Sequence, residues 1–230
     1  MLTLRKSEHR GPTDLGWLKS RHTFSFGGYH DPKHMGVSVL RVINDDVVAP
    51  GAGFAPHSHR DMEIISYVKQ GVIEHQDSMG NVQRLPAGEF QLMSAGTGVT
   101  HSEYNASQSD SLKFLQIWIE PNRRGIQPGY QQKRFEPRPG LHLIAAPDAR
   151  DGSLLLHQDA RLYRALLNDG ERAELALDAG RTAYVHVVAG AFYVNGEPLS
   201  EGDGAAVQDV ASVMLVGIDG ESEALVFDLP

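Results

Sequence analysis

The chain is expected to be all-β, folded as two small barrels in tandem, and three observations predict it. Short runs rich in β-branched and aromatic residues recur between Gly, Pro and Asn/Asp breaks. No segment sustains the 3.6-residue apolar period of a helix. A proline-rich stretch near the middle divides the runs into two sets, as a crossover between domains would.

In chain order, the first set reads VSVLRVI, EIISYVKQG, VIEHQ, FQLMS and LKFLQIWI. Between VIEHQD and VQRLPAGEF, the segment SMGN at 78–81 predicts a hairpin loop, because Gly80 and Asn81 tolerate positive φ. From Glu120 to Gly140 the composition shifts to PNRRGIQPGYQQKRFEPRPG, with prolines at 121, 128, 137 and 139, which reads as a linker. Strand-like runs then return as SLLLH, RLYRALL, AYVHVV, AFYVNG with an Asn195-Gly196 turn signal, ASVMLVGI and ALVFDL. The expected division is residues 1–130 for a metal-binding barrel and 131–230 for a second barrel without metal.

A weak internal repeat supports two copies of one design. Gly51 precedes His57 by six positions and a PAG turn ends at Gly88; Gly180 precedes His186 by six and EGDG ends at Gly204, with Gly202 inside it. Val188 stands where His59 stands in the first copy, and the second half has no counterpart of His101 and Glu103. Only the first barrel should therefore hold metal, with His186 a packed imidazole.

Bulk properties narrow the chemistry. With no cysteine, the chain cannot build a disulfide framework, a zinc-thiolate site or an iron-sulfur cluster, so any metal must use His and carboxylate. A formal charge of −8 and no evident basic patch argue against direct nucleic-acid binding. The N-terminus lacks a signal-peptide apolar core, and no run approaches the roughly 18 apolar residues of a membrane span. The expectation is a soluble, cytoplasmic protein.

Two dyads in the first half, His57-Ser58-His59 and His101-Ser102-Glu103, carry the candidate chemistry. Residues two apart on a strand face the same way, so each dyad aims both members at one point. Three imidazoles and a carboxylate form a nitrogen and oxygen donor set suited to a divalent first-row ion.

These dyads lie in GAGFAPHSHRDMEIISYVKQG and GEFQLMSAGTGVTHSEYN, which resemble the two cupin motifs. The second departs in having Ser94 where proline is usual and two extra residues between Gly96 and His101. With HTFSFGGYHDPKHMG, RVINDD, EHQDSMGN and QIWI, the chain from about Arg5 to Phe135 is similar to the pirin family, with a looser second barrel. The resemblance implies a bicupin of two jelly-roll (double-stranded β-helix) barrels. It also implies one bound metal, usually iron, and for several bacterial members quercetin 2,3-dioxygenase activity. Carried over, the ligands are His57, His59, His101 and Glu103, with Glu103 also the candidate catalytic base.

Most other cupins take the carboxylate from the first motif, here Glu63, and local geometry leaves that open. Charge favours Glu103: one carboxylate leaves a divalent site at +1, able to attract an anionic ligand, and two would cancel it. Glu63 is then placed behind the ligands. Asp61 and Asn105 are candidates to orient imidazoles, which ligating histidines require. Phe54, Met93 and Trp118 are candidates to line a substrate cavity or to pack the core. His22 reads as a hydrogen-bonded core or rim histidine, and His30, His34 and His75, beside turns, as solvated. The expected cofactor is one divalent transition ion, Fe(II) first, with Mn, Co, Ni, Cu or Zn as alternatives, and the expected partners are a flavonol-like substrate and O2. A redox-responsive regulator that binds a protein partner, and a sugar or acid isomerase, are the competing functions on this scaffold.

Overall fold

The computed structural model describes Met1–Pro230. Its only helical elements are two short 3-10 turns, and no helix is long and apolar enough to cross a membrane. The chain divides into two compact units. One is Gly11–Phe135 with Leu156–Gln158; the other is Met1–Arg10, Glu136–Leu155 and Asp159–Pro230. A single cut after residue 130 is therefore crossed twice. The first ten residues belong with the C-terminal half because β1 (Leu2–Arg5) pairs antiparallel with a strand there, from Leu2↔Val207 to Arg5↔Gly204. Asp203 fixes this arrangement by accepting hydrogen bonds from the Ser7 amide at 2.7 Å and from Lys6 Nζ at 3.0 Å.

The first unit is built from β2 (Gly11–Asp14), β3 (Leu18–His22), β4 (Leu40–Val48), β5 (Gly53–His59), β6 (Glu63–Gln70), β7 (Val72–Asp77), β8 (Val82–Pro86), β9 (Glu89–Ser94), β10 (Val99–Asn105), β11 (Leu112–Ile119) and β12 (Gly129–Arg134). These form a seven-stranded sheet in the order β12-β9-β6-β11-β4-β3-β2 and a four-stranded sheet in the order β5-β10-β7-β8. The predicted SMGN turn joins β7 to β8, with Gln76 opposite Val82 and Gly80 at φ 93°. Two expectations shift. VSVLRVI becomes a strand only from Leu40, and Gly129–Arg134, read as linker, pairs along β9. Its YQQKR run satisfies an edge that would otherwise present unpaired backbone groups.

One end of the space between these sheets is apolar, with Val68 and Phe114 from the large sheet meeting Ile73 and Leu85 from the small one. Beside it a polar row crosses the large sheet. The register places His22 opposite Asn44, Asn44 opposite Gln116, Gln116 opposite Ser66, Ser66 opposite Gln91, and Gln91 opposite Gln132. Directly opposed residues share a face, so these side chains line up on the surface turned toward the small sheet.

The second unit contains β13 (Gly140–Ala146), β14 (Leu154–Leu155), β15 (Arg161–Leu167), β16 (Arg172–Ala176), β17 (Thr182–Val194), β18 (Glu197–Ser200), β19 (Gly204–Val207) and β20 (Ser212–Leu229). Two pairs of runs expected as separate strands are continuous, in β17 and β20. Each bends instead of ending. The β17–β20 ladder shifts register around Val187 to Ala191, and Gly190, at φ 69°, lies so close to Ser222 that a Cβ would meet its Oγ at 2.3 Å. Bulges of this kind let one strand serve two sides of a closed sheet. Its main core cluster is hydrocarbon and includes Val185, Val187, Phe192, Leu215 and Val226.

Candidate metal centre

The first dyad lies on β5, an edge strand, where Pro56 costs no ladder hydrogen bond. Strand β10 runs beside it with His101 opposite His57, and a bulge brings Glu103 opposite Phe54. That bulge needs a glycine on β5. A Cβ at Gly53 would lie 2.4 Å from the Glu103 carbonyl oxygen. On the other side of β10, Glu103 faces His75 and His101 faces Asp77.

Alternation along the two strands gathers the three predicted imidazoles. Ring centroids are 4.8 Å apart for His57 and His59, 4.5 Å for His57 and His101, and 4.9 Å for His59 and His101. Their nitrogens lie within 4.8 Å of one another. His57 Nδ1 donates to the Ala55 carbonyl at 2.9 Å, which leaves Nε2 as an acceptor. His59 Nε2 and both nitrogens of His101 are buried without a protein partner. Buried polar atoms rarely go unmatched. Burial, reinforced by neighbouring imidazoles, lowers His101 to about 3 and His59 to about 4. Both rings are therefore neutral near pH 7, the form a metal ligand requires. The donor types, the unmatched nitrogens and the protonation states fit a divalent ion.

Glu103 is held from the polar row. Ser66 Oγ donates to Oε1 at 3.1 Å and Gln116 Nε2 donates to Oε2 at 3.3 Å. Each contact uses one lone pair of each oxygen and leaves others free. Nearby, burial raises Asp46 to about 7, against the hydrogen bond from Ser20, with the charges of Asp45 and Glu103 adding to the rise.

Glu63 is engaged elsewhere. Its Oε2 accepts from Ser94 Oγ at 3.0 Å, the His157 amide at 3.1 Å and His157 Nδ1 at 3.3 Å. Ser94, the departure from the usual motif proline, and the short Leu156–Gln158 segment together occupy Oε2, while Oε1 is buried without a protein partner. Asp61 and Asn105 brace backbone and do not orient imidazoles. Asp61 Oδ1 accepts from the Gly125 amide at 2.7 Å, and Asn105 Nδ2 donates to the Val48, Ala49 and Asp110 carbonyls. Phe54 packs between Trp17 and Phe114, with its ring 6.3 Å from His57. Met93 is fully buried with Ile64, Ala95 and Val99, and Trp118 lies against His59 at 5.1 Å, edge to face.

His22 is a core histidine, bonded to Asn44 Oδ1 and Thr13 Oγ1, both at 2.8 Å. His75 is not the solvated residue its neighbouring turn suggested. It is 1% exposed, its Nε2 is bonded to Asp77 Oδ2 at 2.9 Å, and its ring lies 5.4 Å from that of His101. His75, His101 and Glu103 form a second group whose ligand atoms lie within 4.8 Å of one another. The missed signal was the alternation in VIEHQD, which puts Ile73, His75 and Asp77 on one buried face. Ser66 and Gln116 were also missed, although each is an uncharged polar residue with a hydrophobic neighbour on either side in a buried stretch of strand.

A family model described as Pirin matches residues 3–119, and one described as Quercetinase C-terminal cupin domain matches residues 143–229. The chain is 51% identical to the quercetin 2,3-dioxygenase of Escherichia coli strain K12 over all of its own length and 99% of that protein's. It is 41% identical to a pirin-like protein of Caulobacter vibrioides, covering 98% of this chain and 99% of that one. The crystal structure of the Escherichia coli bacterial pirin YhhW in complex with nickel(II) superposes with a TM-score of 0.97 at 51% identity, covering 100% of this chain and 99% of that one.

Proposed function

This chain belongs to the pirin family, with two cupin barrels, and from that premise we propose that it is a metal-dependent dioxygenase that opens the central ring of flavonols such as quercetin. One observation carries the reading: His57, His59 and His101 converge, and His101 also belongs to a second cluster with the buried Glu103, whose orientation is fixed by Ser66 and Gln116. His57, His59, His101 and Glu103 would hold the ion, and Fe(II) is the ion proposed. Bound there, it would supply Lewis acidity, redox capacity and open positions for small molecules.

The protein's own residues set the conditions. Burial keeps His59 and His101 neutral, so neither ring adds positive charge beside the ion. A single negative charge beside a divalent ion leaves the site net positive, which favours a flavonol bound as its oxyanion. Glu103 is the group placed to accept the flavonol hydroxyl proton, with Ser66 and Gln116 keeping its lone pairs in position. In the overall reaction the flavonol takes up O2, two ring carbon bonds break, and the products are the ring-opened ester and carbon monoxide. The polar row across the large sheet is fixed before substrate arrives, so little reorganisation is needed during the reaction.

The test is anaerobic loading with Fe(II), then quercetin and air. Loss of flavonol absorbance with stoichiometric carbon monoxide is expected. Quercetin that stays intact with a fully loaded site would reject the reading.

A further inference from the structure

We infer that the indole N–H of Trp118 is a recognition donor, which hydrogen-bonds an oxygen of the aromatic substrate and so sets specificity. The inference deepens the functional reading above and rests on it.

Three observations support it. The first is placement. Trp118 follows Gln116 by two on β11, on the face that carries Gln116 to Glu103, and its ring stands perpendicular to that of His59 with centroids 5.1 Å apart. A ligand beside the His59 ring is therefore within reach of the indole.

The second is an unmet demand. Trp118 Nε1 is buried and has no acceptor in the protein. A buried indole N–H normally finds a partner, and leaving one unmatched is costly. On the same face Gln116 serves Glu103 and Asn44 serves His22, while Gln91 Nε2, like Trp118 Nε1, is buried without an acceptor.

The third is rigidity. Phe26 meets the Trp118 ring edge to face at 5.3 Å, and the Ile64 and Met93 cluster packs against it. The ring cannot readily turn to find another acceptor. A fixed, desolvated donor rejects ligands that offer no oxygen to it, because the N–H then stays unpaired.

The chain has only two tryptophans, so the indole region of a 15N spectrum holds two cross-peaks, and Trp17→Phe assigns them. With zinc-loaded full-length protein and quercetin under anaerobic conditions, the Trp118 indole proton should move downfield. Trp118→Phe keeps an aromatic ring but loses the donor. It should weaken quercetin binding by about tenfold or more, with metal content and melting temperature unchanged, a pattern that loss of packing alone would not produce. The inference is overturned if quercetin binds with the Trp118 cross-peak unmoved, or if a folded Trp118→Phe protein binds quercetin as tightly as the wild type. If the variant does not fold, the wild-type cross-peak decides. Failure of quercetin to bind the wild-type protein at all would overturn the dioxygenase reading and this inference together.

Discussion

The two barrels share a turn-strand pattern yet differ in what they aim at their interiors. In the first, His57 and His59 project into a cluster with His101. In the second, His186 sits at the same six-residue offset from a turn glycine, but Val185 and Val187 are the residues that enter the hydrocarbon core. His186 therefore lies on the opposite face of its strand. A strand's facing has period two, so a one-residue change in phase exchanges the face an imidazole occupies. Spacing from a turn does not establish a ligand; phase relative to the core does.

The largest expected effect tests this contrast directly. The double variant His101→Ala, Glu103→Ala should reduce metal content from one ion per chain to nearly none, and His186→Ala should leave it unchanged, as read by elemental analysis. Turnover retained in the double variant would reject the assigned site.

Next in size is the support for Glu103. Replacing Ser66 by Ala or Gln116 by Leu should weaken metal affinity by roughly 10- to 100-fold, measured by competition with a chelator, while the fold survives. An unchanged affinity would mean that the polar row does not position the ligand.

The engaged carboxylate gives the third test. Glu63→Gln should keep the metal and lower stability by about 1–3 kcal/mol, since the contacts to Ser94 and His157 become imperfect. Loss of the ion in this variant would move the carboxylate ligand to the first motif.

The smallest effect belongs to the barrel without donors. Burial pushes Asp203 up, but hydrogen bonds from the Ser200 and Ser7 amides and from Lys6 outweigh it and hold the carboxyl below its ordinary value. Its stabilising contribution is then complete above the unfolded value of about 3.9 and disappears as pH falls through the lower folded value. Asp203→Asn should lower the melting temperature near neutrality, and the gap to wild type should close in acid, with metal content unaffected. A constant gap across the titration would show that ionisation of Asp203 is not involved.

Much of this was legible in the sequence, and the reasons are local. Strands such as EIISYVKQ and LKFLQIWI, the 78–81 turn and the Asn195-Gly196 turn depend on neighbouring residues, and they form where expected. The meeting of His57, His59 and His101 followed from alternation, whereas Glu103, beyond a bulge, falls in the group with His75 and His101. What stayed hidden depends on distant partners. Nothing in LTLR indicates that its ladder lies some 200 residues away, at Gly204–Val207. Likewise LHQ at 156–158 reads as the end of a strand, although this segment belongs to the first unit, where His157 closes on Glu63. His75 was a failure of another kind, because a nearby turn was weighed above a clear two-residue period.

The pairing of β1 with β19 also orders the molecule's assembly in time. During synthesis Leu2–Arg5 emerges some 200 residues before the strand it pairs with. Cotranslational folding can therefore complete most of the donor-bearing barrel while β1 still has no ladder to join.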